Sequence, residues 1–440
     1  MSQRVERIVI SRSHPNWKAC HRLCGLARRL GNCATYILRH LFIEKKDFPN
    51  RQTLDRELRE QYPSDYRGMP SAASAQRQGQ IIREQFLSFI NAKAEYRKHP
   101  DKFKGEPKLP GYRKRYRTFY VNRNGFCIRQ GLLHLSGQDK VGFTPMRVIC
   151  SPEQDFNAPA RSAKVGDVRI VPAGNSFILE LTYEENRTFD YKLDSDHACV
   201  LDLGVENFIA AVATRPGLAP FLVKGGILKS LNQKYNKDMA QLRALEKTGH
   251  YSIRSFKRDR CMNDLLHKIS RMVVNYCVAN DLGVLIVGRS KDWKQQVCLG
   301  KRNNQNFVMI PHAKFIEMLQ YKAQGCGITV ILCEESYSSK ASALDFDPVP
   351  NFGDAQIPEF SGRRIHRGLY RTGSGQLINA DINGALNIGR KELGDEWLRK
   401  RLQVDEGAFV NAPTVYRHLH NCGHAGHCWK GDYGLPKPQS

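Results

Sequence analysis

Near the end of the chain lies the stretch Leu377-Ile378-Asn379-Ala380-Asp381-Ile382-Asn383-Gly384-Ala385-Leu386-Asn387-Ile388. Its one carboxylate, Asp381, sits among small and amide side chains, just ahead of the apolar residues Leu386 and Ile388, where a short helix is predicted to begin. A carboxylate in such a place can hold a cation. One carboxylate does not make a site, so the rest of the chain must supply its partners.

The chain carries a strong excess of positive charge. Its 440 residues include 68 Lys and Arg against 43 Asp and Glu, which gives a formal net charge of +25. Residues 1–125 hold 27 basic and 11 acidic side chains, so +16 of that excess lies there. Because a basic surface attracts polyanions and releases their counterions, nucleic acid is the expected partner, with an anionic membrane as second choice.

Other global features narrow the class of protein. The thirteen cysteines are scattered and odd in number, and no secretory apolar segment opens the chain, so reduced thiols in a cytoplasmic protein are expected. No apolar run approaches the ~18–20 residues of a spanning helix, which predicts a soluble protein without a membrane partner. A phosphate loop ending in Gly-Lys-Ser/Thr is also missing, so an ATP-driven motor is not indicated.

The first part of the chain alternates strand and helix patterns. Residues 5–10 read as a short strand, and apolar residues at helical spacing predict a basic amphipathic helix from 14 to about 42, which carries Arg28 and Arg29. A second helix is predicted from 72 to about 96. Short extended runs between 118 and 185, separated by turn residues, predict a small antiparallel β unit, plausibly a barrel.

A basic segment at 104–117 separates these helices from the β unit. It interleaves Tyr112 and Tyr116 with six cations: Lys104, Lys108, Arg113, Lys114, Arg115 and Arg117. Cations can bind a nucleic-acid backbone while aromatic rings stack on unpaired bases, and this interpretation is favoured over an ordinary basic loop.

From about Tyr191 the pattern predicts a different architecture. Ala198–Val205 reads as a buried strand that ends in Asp202, and 208–214 can return beside it. Helices then alternate with strands at 283–288 and 328–335, which indicates an α/β layer with carboxylates at strand ends. Asp202, the Glu334/Glu335 pair and Asp381 lie on separate elements. Carboxylates held by a rigid sheet can place two Mg²⁺ ions across a scissile phosphate.

Three stretches together resemble the transposon-encoded TnpB proteins, relatives of the type V CRISPR effectors: Leu201-Asp202-Leu203-Gly204-Val205, Glu335-Ser336-Tyr337-Ser338-Ser339-Lys340 and the motif around Asp381. Residues 14–18 and 103–112 are also similar to that family. The resemblance covers most of the chain. It implies an RNase H-like (RuvC) nuclease domain plus an amino-terminal β-barrel wedge with a helical recognition insertion.

The resemblance also implies domain limits. Residues 1–13 would give the first strand of the wedge barrel, and the helical recognition insertion (14–100) and the rest of the barrel (101–190) would follow. Residues 191–395 would form the RuvC-like nuclease domain, with a target-nucleic-acid-binding insert at 341–378. The basic tail, 396–440, is expected to be disordered.

The middle catalytic residue departs from the family. TnpB proteins usually place a glutamate at the end of the strand that corresponds to 285–287, but Gly288 stands there. Glu335, on the neighbouring strand end, is the expected substitute. Glu334 and Asp292 are alternatives, and alternation along a strand lets just one of Glu334 and Glu335 face the site. The expected catalytic and metal-binding set is therefore Asp202, Glu335 and Asp381, with Mg²⁺ or Mn²⁺.

Zinc is the second departure. Family members often carry Cys-x-x-Cys pairs before the last aspartate, but residues 341–380 contain no cysteine. We expect a zinc-free insert held by aromatic packing, with Phe346 and Phe352 among its residues, and with Arg363 and Arg364 able to touch nucleic acid. Lys301 and Arg302 are further candidates for a nucleic-acid contact. The tail's His418, His420, Cys422, His424, His427 and Cys428 do not match a zinc finger.

The resemblance implies an RNA-guided DNA endonuclease, encoded by a transposable element, whose partners are a guide RNA and a double-stranded DNA target. The alternative is a nuclease-inactive RNA-guided DNA-binding protein or repressor, which the glycine at position 288 favours. A DNA-strand transferase is a weaker hypothesis, because no nucleophilic Tyr or Ser lies in a supporting motif.

Overall fold

The computed structural model describes residues 2–44, 47–148, 165–185, 191–289, 309–354, 356–366, 368–405, 410 and 413–417. The chain divides into two compact units. The first comprises Met1–Asn186 with Gly249–Phe256, and the second comprises Arg187–Thr248 with Lys257–Ser440. Within the described ranges, no helix has both the length and the apolar content that crossing a membrane requires.

Helices α1 (Trp17–Ile43) and α4 (Ala72–Lys98) dominate the first unit, as the helical periodicity predicted. Their apolar faces share one core, in which Leu23, Leu30 and Phe86 are fully buried. Ser71 caps α4, because its hydroxyl oxygen accepts from the Ser74 amide at 3.3 Å. Two short helices that the sequence did not predict lie between them, α2 (Arg51–Gln61) and α3 (Pro63–Arg67).

The strands of the first unit form two sheets. They are β1 (Ser2–Ile10), β2 (Phe119–Val121), β3 (Phe126–Arg129), β4 (Leu132–Leu135), β5 (Met146–Arg147), β6 (Val165–Ala173) and β7 (Ser176–Glu185). The antiparallel order is β1-β7-β6-β2 in one sheet and β3-β4-β5 in the other. The predicted strands are confirmed. No strand pairing joins the two sheets among the described residues, so the barrel stays a prediction.

A six-stranded mixed sheet organises the second unit. Its strands are β8 (Ala198–Leu203), β9 (Asn207–Ala213), β10 (Phe221–Lys224), β11 (Val284–Gly288) and β12 (Thr329–Cys333), together with a short edge strand at Thr414–Tyr416. The first three are consecutive and antiparallel, whereas β11 and β12 run parallel to β8. The predicted α/β layer is confirmed. Since β8, β11 and β12 are parallel, their carboxyl ends meet at one edge of the sheet.

Helices complete the second unit. They are α5 (Gly226–Ala244), α6 (Tyr251–Ala279, of which the first turn belongs to the first unit), α7 (His312–Gln324), α8 (Ala380–Leu393) and α9 (Glu396–Val404). Helix α8 is the amide-rich motif. It packs on β8, β9 and β11 through Ile382, Leu386 and Ile388, which are all fully buried. The side chain of Asn379 caps this helix by accepting from the amides of Asp381 and Ile382.

Two aspartates hold the segment that precedes α8. Strands β13 (Arg363–His366), β14 (Leu369–Arg371) and β15 (Leu377–Asn379) form its small antiparallel sheet. The Asp345 carboxylate accepts from the amides of Gly373 and Ser374, and Asp347 Oδ2 accepts from the amides of Ser342 and Ser361 at 2.8 and 3.0 Å. These bonds join stretches up to 29 residues apart in the sequence.

Aromatic packing, the expected support of this insert, is only part of what holds it, with Tyr370 buried and Phe346 packed against the same cluster. Phe352 is 78% exposed, and Phe346 lies under the guanidinium groups of Arg390 and Arg399. Among the described residues of the insert, Tyr370 is the one fully buried aromatic side chain, and its hydroxyl donates to the Lys340 carbonyl at 2.7 Å. A carboxylate with several lone pairs can gather backbone amides from distant loops, which aromatic rings cannot do.

Replacing Asp347 by alanine should loosen the insert. Two backbone amides would lose a buried acceptor, at a cost of about 1–3 kcal/mol for each group left unsatisfied. Hydrogen–deuterium exchange of peptides covering 342–361 should therefore accelerate. The matched control is Asp354→Ala, since Asp354 accepts from the amide of Asn351, three residues away, in an exposed turn. Equal exchange in the two variants would contradict the role given to Asp347.

Candidate active site

Asp202 lies near the carboxyl end of β8, on the sheet face covered by α8. A Cβ atom built on Gly384 of α8 would lie 2.5 Å from Asp202 Oδ2, well inside contact distance. A side chain at this position would have to displace the Asp202 carboxylate, and glycine leaves room for it. The glycine of the amide-rich motif is what allows the Asp202 carboxylate to sit beneath the first turns of α8.

Asp381 is in the first turn of α8, where the partial positive charge of a helix amino terminus favours a carboxylate. Both of its oxygens accept hydrogen bonds. The Asn207 amide Nδ2, at the start of β9, donates to Oδ2 at 2.6 Å, and the Arg364 guanidinium, on β13, donates to Oδ1 at 3.3 Å. The side chain of Asp381 is therefore fixed by two different elements.

Glu335 brings a third carboxylate to the same edge. A Cβ atom on Gly288 would lie 3.0 Å from Glu335 Oε2 and 2.6 Å from Ile388 Cδ1. The carboxylate of Glu335 thus lies against the end of β11, where the glutamate of the related proteins is expected. Strands β11 and β12 are neighbours and pair Gly288 with Cys333, so a side chain that follows β12 needs to reach across only one strand.

Glu334 points to other partners. Lys391 Nζ donates to its Oε2 at 2.6 Å, and the Ser336 amide donates to its Oε1 at 2.8 Å. Although burial alone would raise the pKa of Glu334, these hydrogen bonds and the Lys391 charge hold it below its usual value. Of the two adjacent glutamates, the structure brings only Glu335 to the aspartates. The third alternative, Asp292, lies outside the described residues.

The three carboxylates interact electrostatically. Burial raises the pKa of Asp202 well above its ordinary value, and repulsion from Glu335 and Asp381 raises it further, while Arg364 opposes the shift. A bound cation would offset the repulsion between these negative charges. Among the described residues, no three His, Cys, Asp or Glu side chains already stand in ligating geometry.

The residues present fit a hard divalent cation nevertheless. Their donor atoms are carboxylate oxygens, the ligands that Mg²⁺ prefers. The guanidinium of Arg364 is a positive group already seated against Asp381, so the cluster is one that attracts positive charge. Asp202, Glu335 and Asp381 would hold such an ion, with Arg364 giving up its place on Asp381 Oδ1.

Two further amides of the motif fix the segment that follows Glu335. Asn383 accepts from the Ala343 amide at 2.9 Å and donates to the Ala341 carbonyl at 2.7 Å. Asn387, one turn later, donates to the carbonyls of Ser338 and Ala341. Residues spaced four apart share a helix face, so both asparagines bind the backbone of the same loop. The sequence analysis did not predict this role, although the four-residue spacing of Asn383 and Asn387 indicates that both lie on one face of the helix.

The predicted nucleic-acid contacts in the first unit divide into two groups. Arg28 donates to the Lys114 carbonyl and Arg29 pairs with Asp65 at 3.1 Å, so both have partners within the protein. The side chain of Asn32 also donates to the Arg113 carbonyl and accepts from the Arg113 amide. These bonds fasten residues 110–114 along α1.

The other cations of that segment face solvent. The predicted residues Lys104, Lys108, Tyr112, Arg113, Lys114 and Arg115 are all exposed. Arg117 is the exception, because it is buried against Gly31 and burial lowers its pKa to about 10. On the insert Arg363 and Arg364 are both exposed, and Arg364 also contacts Asp381. Lys301, Arg302 and the histidines and cysteines of the tail lie outside the described residues.

Comparison with known proteins gives one family match. Residues 312–388, from the start of α7 to the middle of α8, match the family described as Cas12f1-like, TNB domain. None of the curated proteins matches the chain in sequence.

Solved structures of RNA-guided nucleases align with the chain at low similarity. The Cas12f1–sgRNA–target DNA complex is 14% identical, with a TM-score of 0.48, and the alignment covers 84% of this chain and 82% of that one. The mini RNA-guided endonuclease CRISPR-Cas phi3 is 10% identical at a TM-score of 0.38, with 88% and 92% covered. Alicyclobacillus acidoterrestris C2c1 with its single-guide RNA is 10% identical at 0.36, with 83% and 65% covered.

Scores below 0.5 do not by themselves establish a common fold, so the family match carries the assignment. That match includes Glu335, the insert and the amide-rich motif around Asp381. Over residues 312–388 this chain is a relative of the Cas12f1 and TnpB effectors, as the motif around Asp381 predicted.

Proposed function

We propose that this protein is an RNA-guided DNA endonuclease of the TnpB type, with an RNase H-like (RuvC) nuclease domain that hydrolyses phosphodiester bonds. The observation that carries the proposal is the meeting of Asp202, Glu335 and Asp381 at one sheet edge, with the Glu335 carboxylate lying against Gly288. A glutamate from the next strand thereby supplies the acid that position 288 lacks.

Each residue then has a part in the reaction. Bound Mg²⁺ would polarise the scissile phosphate and activate the attacking water. Asp202 on β8, Asp381 in the first turn of α8 and Glu335 just after β12 would be the residues that hold it. Arg364, 46% exposed and next to Asp381, has a guanidinium group that could contact a phosphate oxygen of the substrate.

Guide RNA and double-stranded DNA are the proposed partners. The +25 net charge and the exposed segment 110–115 suit a polyanion. In RNA-guided systems base pairing reads the target and the protein reads only a short adjacent motif. By resemblance to TnpB, the guide would derive from the end of a transposable element. The domain limits given above, including the wedge barrel and recognition insertion, belong to the same proposal. The expected disorder of the tail is wrong for two parts of it, since Glu396–Val404 form α9 and Thr414–Tyr416 form the edge strand beside β10.

The second candidate function is RNA-guided binding without cleavage. Position 288 favours it, because a glycine gives no ligand and the nuclease depends entirely on Glu335 as a replacement. A nuclease-inactive protein would keep the basic surface and lose only the chemistry. The two candidates differ in one measurable respect, which is whether matched DNA is cut.

The test is to copurify the protein with its native RNA and offer matched DNA with Mg²⁺. The wild-type complex should cut, and Glu335→Gln and Asp202→Asn should each cut slower by on the order of 10³-fold, since a metal supplies several kcal/mol and each 1.36 kcal/mol is tenfold. Glu334→Gln, the matched control, should stay within roughly tenfold. Binding without cuts would establish the second candidate, and undiminished cutting by Glu335→Gln would remove Glu335 from the site.

The crowding of the three carboxylates should also make the stability of the folded protein depend on pH. With the pKa of Asp202 raised in the folded state, the native protein binds more protons than the unfolded chain between the ordinary pKa of ~3.9 and the raised one. Stability of the metal-free protein should therefore fall as pH rises through that window. In EDTA at pH 7.5, Asp202→Asn should melt a few degrees higher than wild type, about 2–4 °C per kcal/mol relieved.

Near pH 4 that advantage of Asp202→Asn should shrink, because Asp202 is then protonated in wild type as well. Melting curves across pH 4–8 provide the measurement. A variant that melts lower than wild type at every pH would contradict the proposed charge crowding.

The exposed cations of segment 110–115 should contribute to RNA binding. Removing two of them, as in Arg113→Ala with Lys114→Ala, should weaken RNA affinity and reduce the salt slope by about 1.4, at ~0.7 for each phosphate contact with a single strand. The control is Arg97→Ala with Lys98→Ala, an equal loss of charge at the exposed end of α4. If both double variants lose the same affinity, the segment has no special role.

A further inference from the structure

Asn207 is the first residue of β9, and its side-chain amide contacts the carboxylate cluster. It is 4% exposed, and its Nδ2 donates to Asp381 Oδ2 at 2.6 Å across 174 residues of sequence. A short hydrogen bond from a buried donor to a charged acceptor is among the stronger neutral–ion contacts in proteins. The contact therefore sets the side-chain orientation of Asp381.

The backbone around Asn207 is itself fixed. A Cβ atom on Gly204 would lie 2.6 Å from the Asn207 carbonyl oxygen, so the turn between β8 and β9 is tight. The Gly204 amide also donates to the Phe208 carbonyl at 3.3 Å. Asp202 and Asn207 thus sit on the two sides of one short hairpin, and Asn207 links that hairpin to the start of α8.

The two oxygens of Asp381 have different roles. Asn207 occupies Oδ2 from the protein interior, whereas Oδ1 faces the half-exposed cation Arg364. With Oδ2 fixed, Oδ1 is directed to the side on which positive charge is held. Asn207 Oδ1 is also buried and accepts no hydrogen bond from any part of the protein that the structure describes, so a further donor or a cation would stabilise it.

We propose that Asn207 is a positioning residue for the metal site: it binds Oδ2 of Asp381 and presents Oδ1 to the divalent ion. This inference rests on the proposed function, since it needs Asp381 to be a ligand. Residues that orient a ligand in this way contribute roughly 10–100-fold to metal affinity. Asn207 need not touch the substrate.

Metal binding to the full-length protein tests the inference without relying on cleavage. Mn²⁺ affinity is measured by titration with detection of free ion by electron paramagnetic resonance, for wild type, Asn207→Ala and Asn207→Asp. The alanine variant should bind Mn²⁺ roughly 10–100-fold more weakly. The aspartate variant keeps the side-chain shape but lacks the N–H group that donates to Asp381. The geometry of its metal site should therefore differ from that of wild type, and so should the electron paramagnetic resonance spectrum of bound Mn²⁺.

Asn232→Ala is the matched control. Asn232 is also buried, at 1% exposed, and accepts from Arg258 away from the carboxylates, so its loss should lower the melting temperature but leave Mn²⁺ affinity unchanged. Equal Mn²⁺ affinity in wild type and Asn207→Ala would overturn the inference and leave the proposed function standing. If wild type binds no Mn²⁺, the inference and the proposed function fall together.

Discussion

The close approach of α8 to β8 is the constraint on which the second unit depends. It exists because Gly384 has no side chain, so the Asp202 carboxylate can lie where a Cβ atom would otherwise be. The same helix buries Ile382, Leu386 and Ile388 against the sheet and starts with the cap on Asn379. One helix therefore supplies packing, the Asp381 carboxylate of the candidate site and, through Asn383 and Asn387, the support for the loop after Glu335.

Bringing three carboxylates together costs stability, which burial of Asp202 increases. The protein offsets part of this cost through the Arg364 charge and the Asn207 hydrogen bond on Asp381. A site arranged this way is unfavourable until a cation arrives. That is typical of functional sites, where binding capacity is retained at the expense of the folded state. The aspartates of the insert, Asp345 and Asp347, are different, because each accepts hydrogen bonds from two backbone amides.

Much of the fold and part of the site could be predicted from the sequence. Local periodicity gave helices α1 and α4 and the strands of the α/β layer, and strand alternation left Glu335 and Glu334 as rival ligands. The structure pairs Glu334 with Lys391, which lies 57 residues away in the sequence, and leaves Glu335 near Asp202. Contacts such as Asn207 to Asp381, or Arg28 to the Lys114 carbonyl, join distant segments and leave no periodic signal. The aspartates that gather the insert were missed for the same reason, since a zinc-free insert was expected to rely on aromatic rings.

The position of a bound Mn²⁺ ion tests the central claim most directly. Anomalous scattering from crystals of the full-length protein grown with Mn²⁺ locates the ion without reference to activity. The account predicts a peak within about 2.2 Å of oxygens from Asp202, Glu335 and Asp381, with Arg364 moved off Asp381. A peak bound by Glu334, or by the aspartates with Glu335 turned away, would contradict the replacement of the glutamate missing at Gly288.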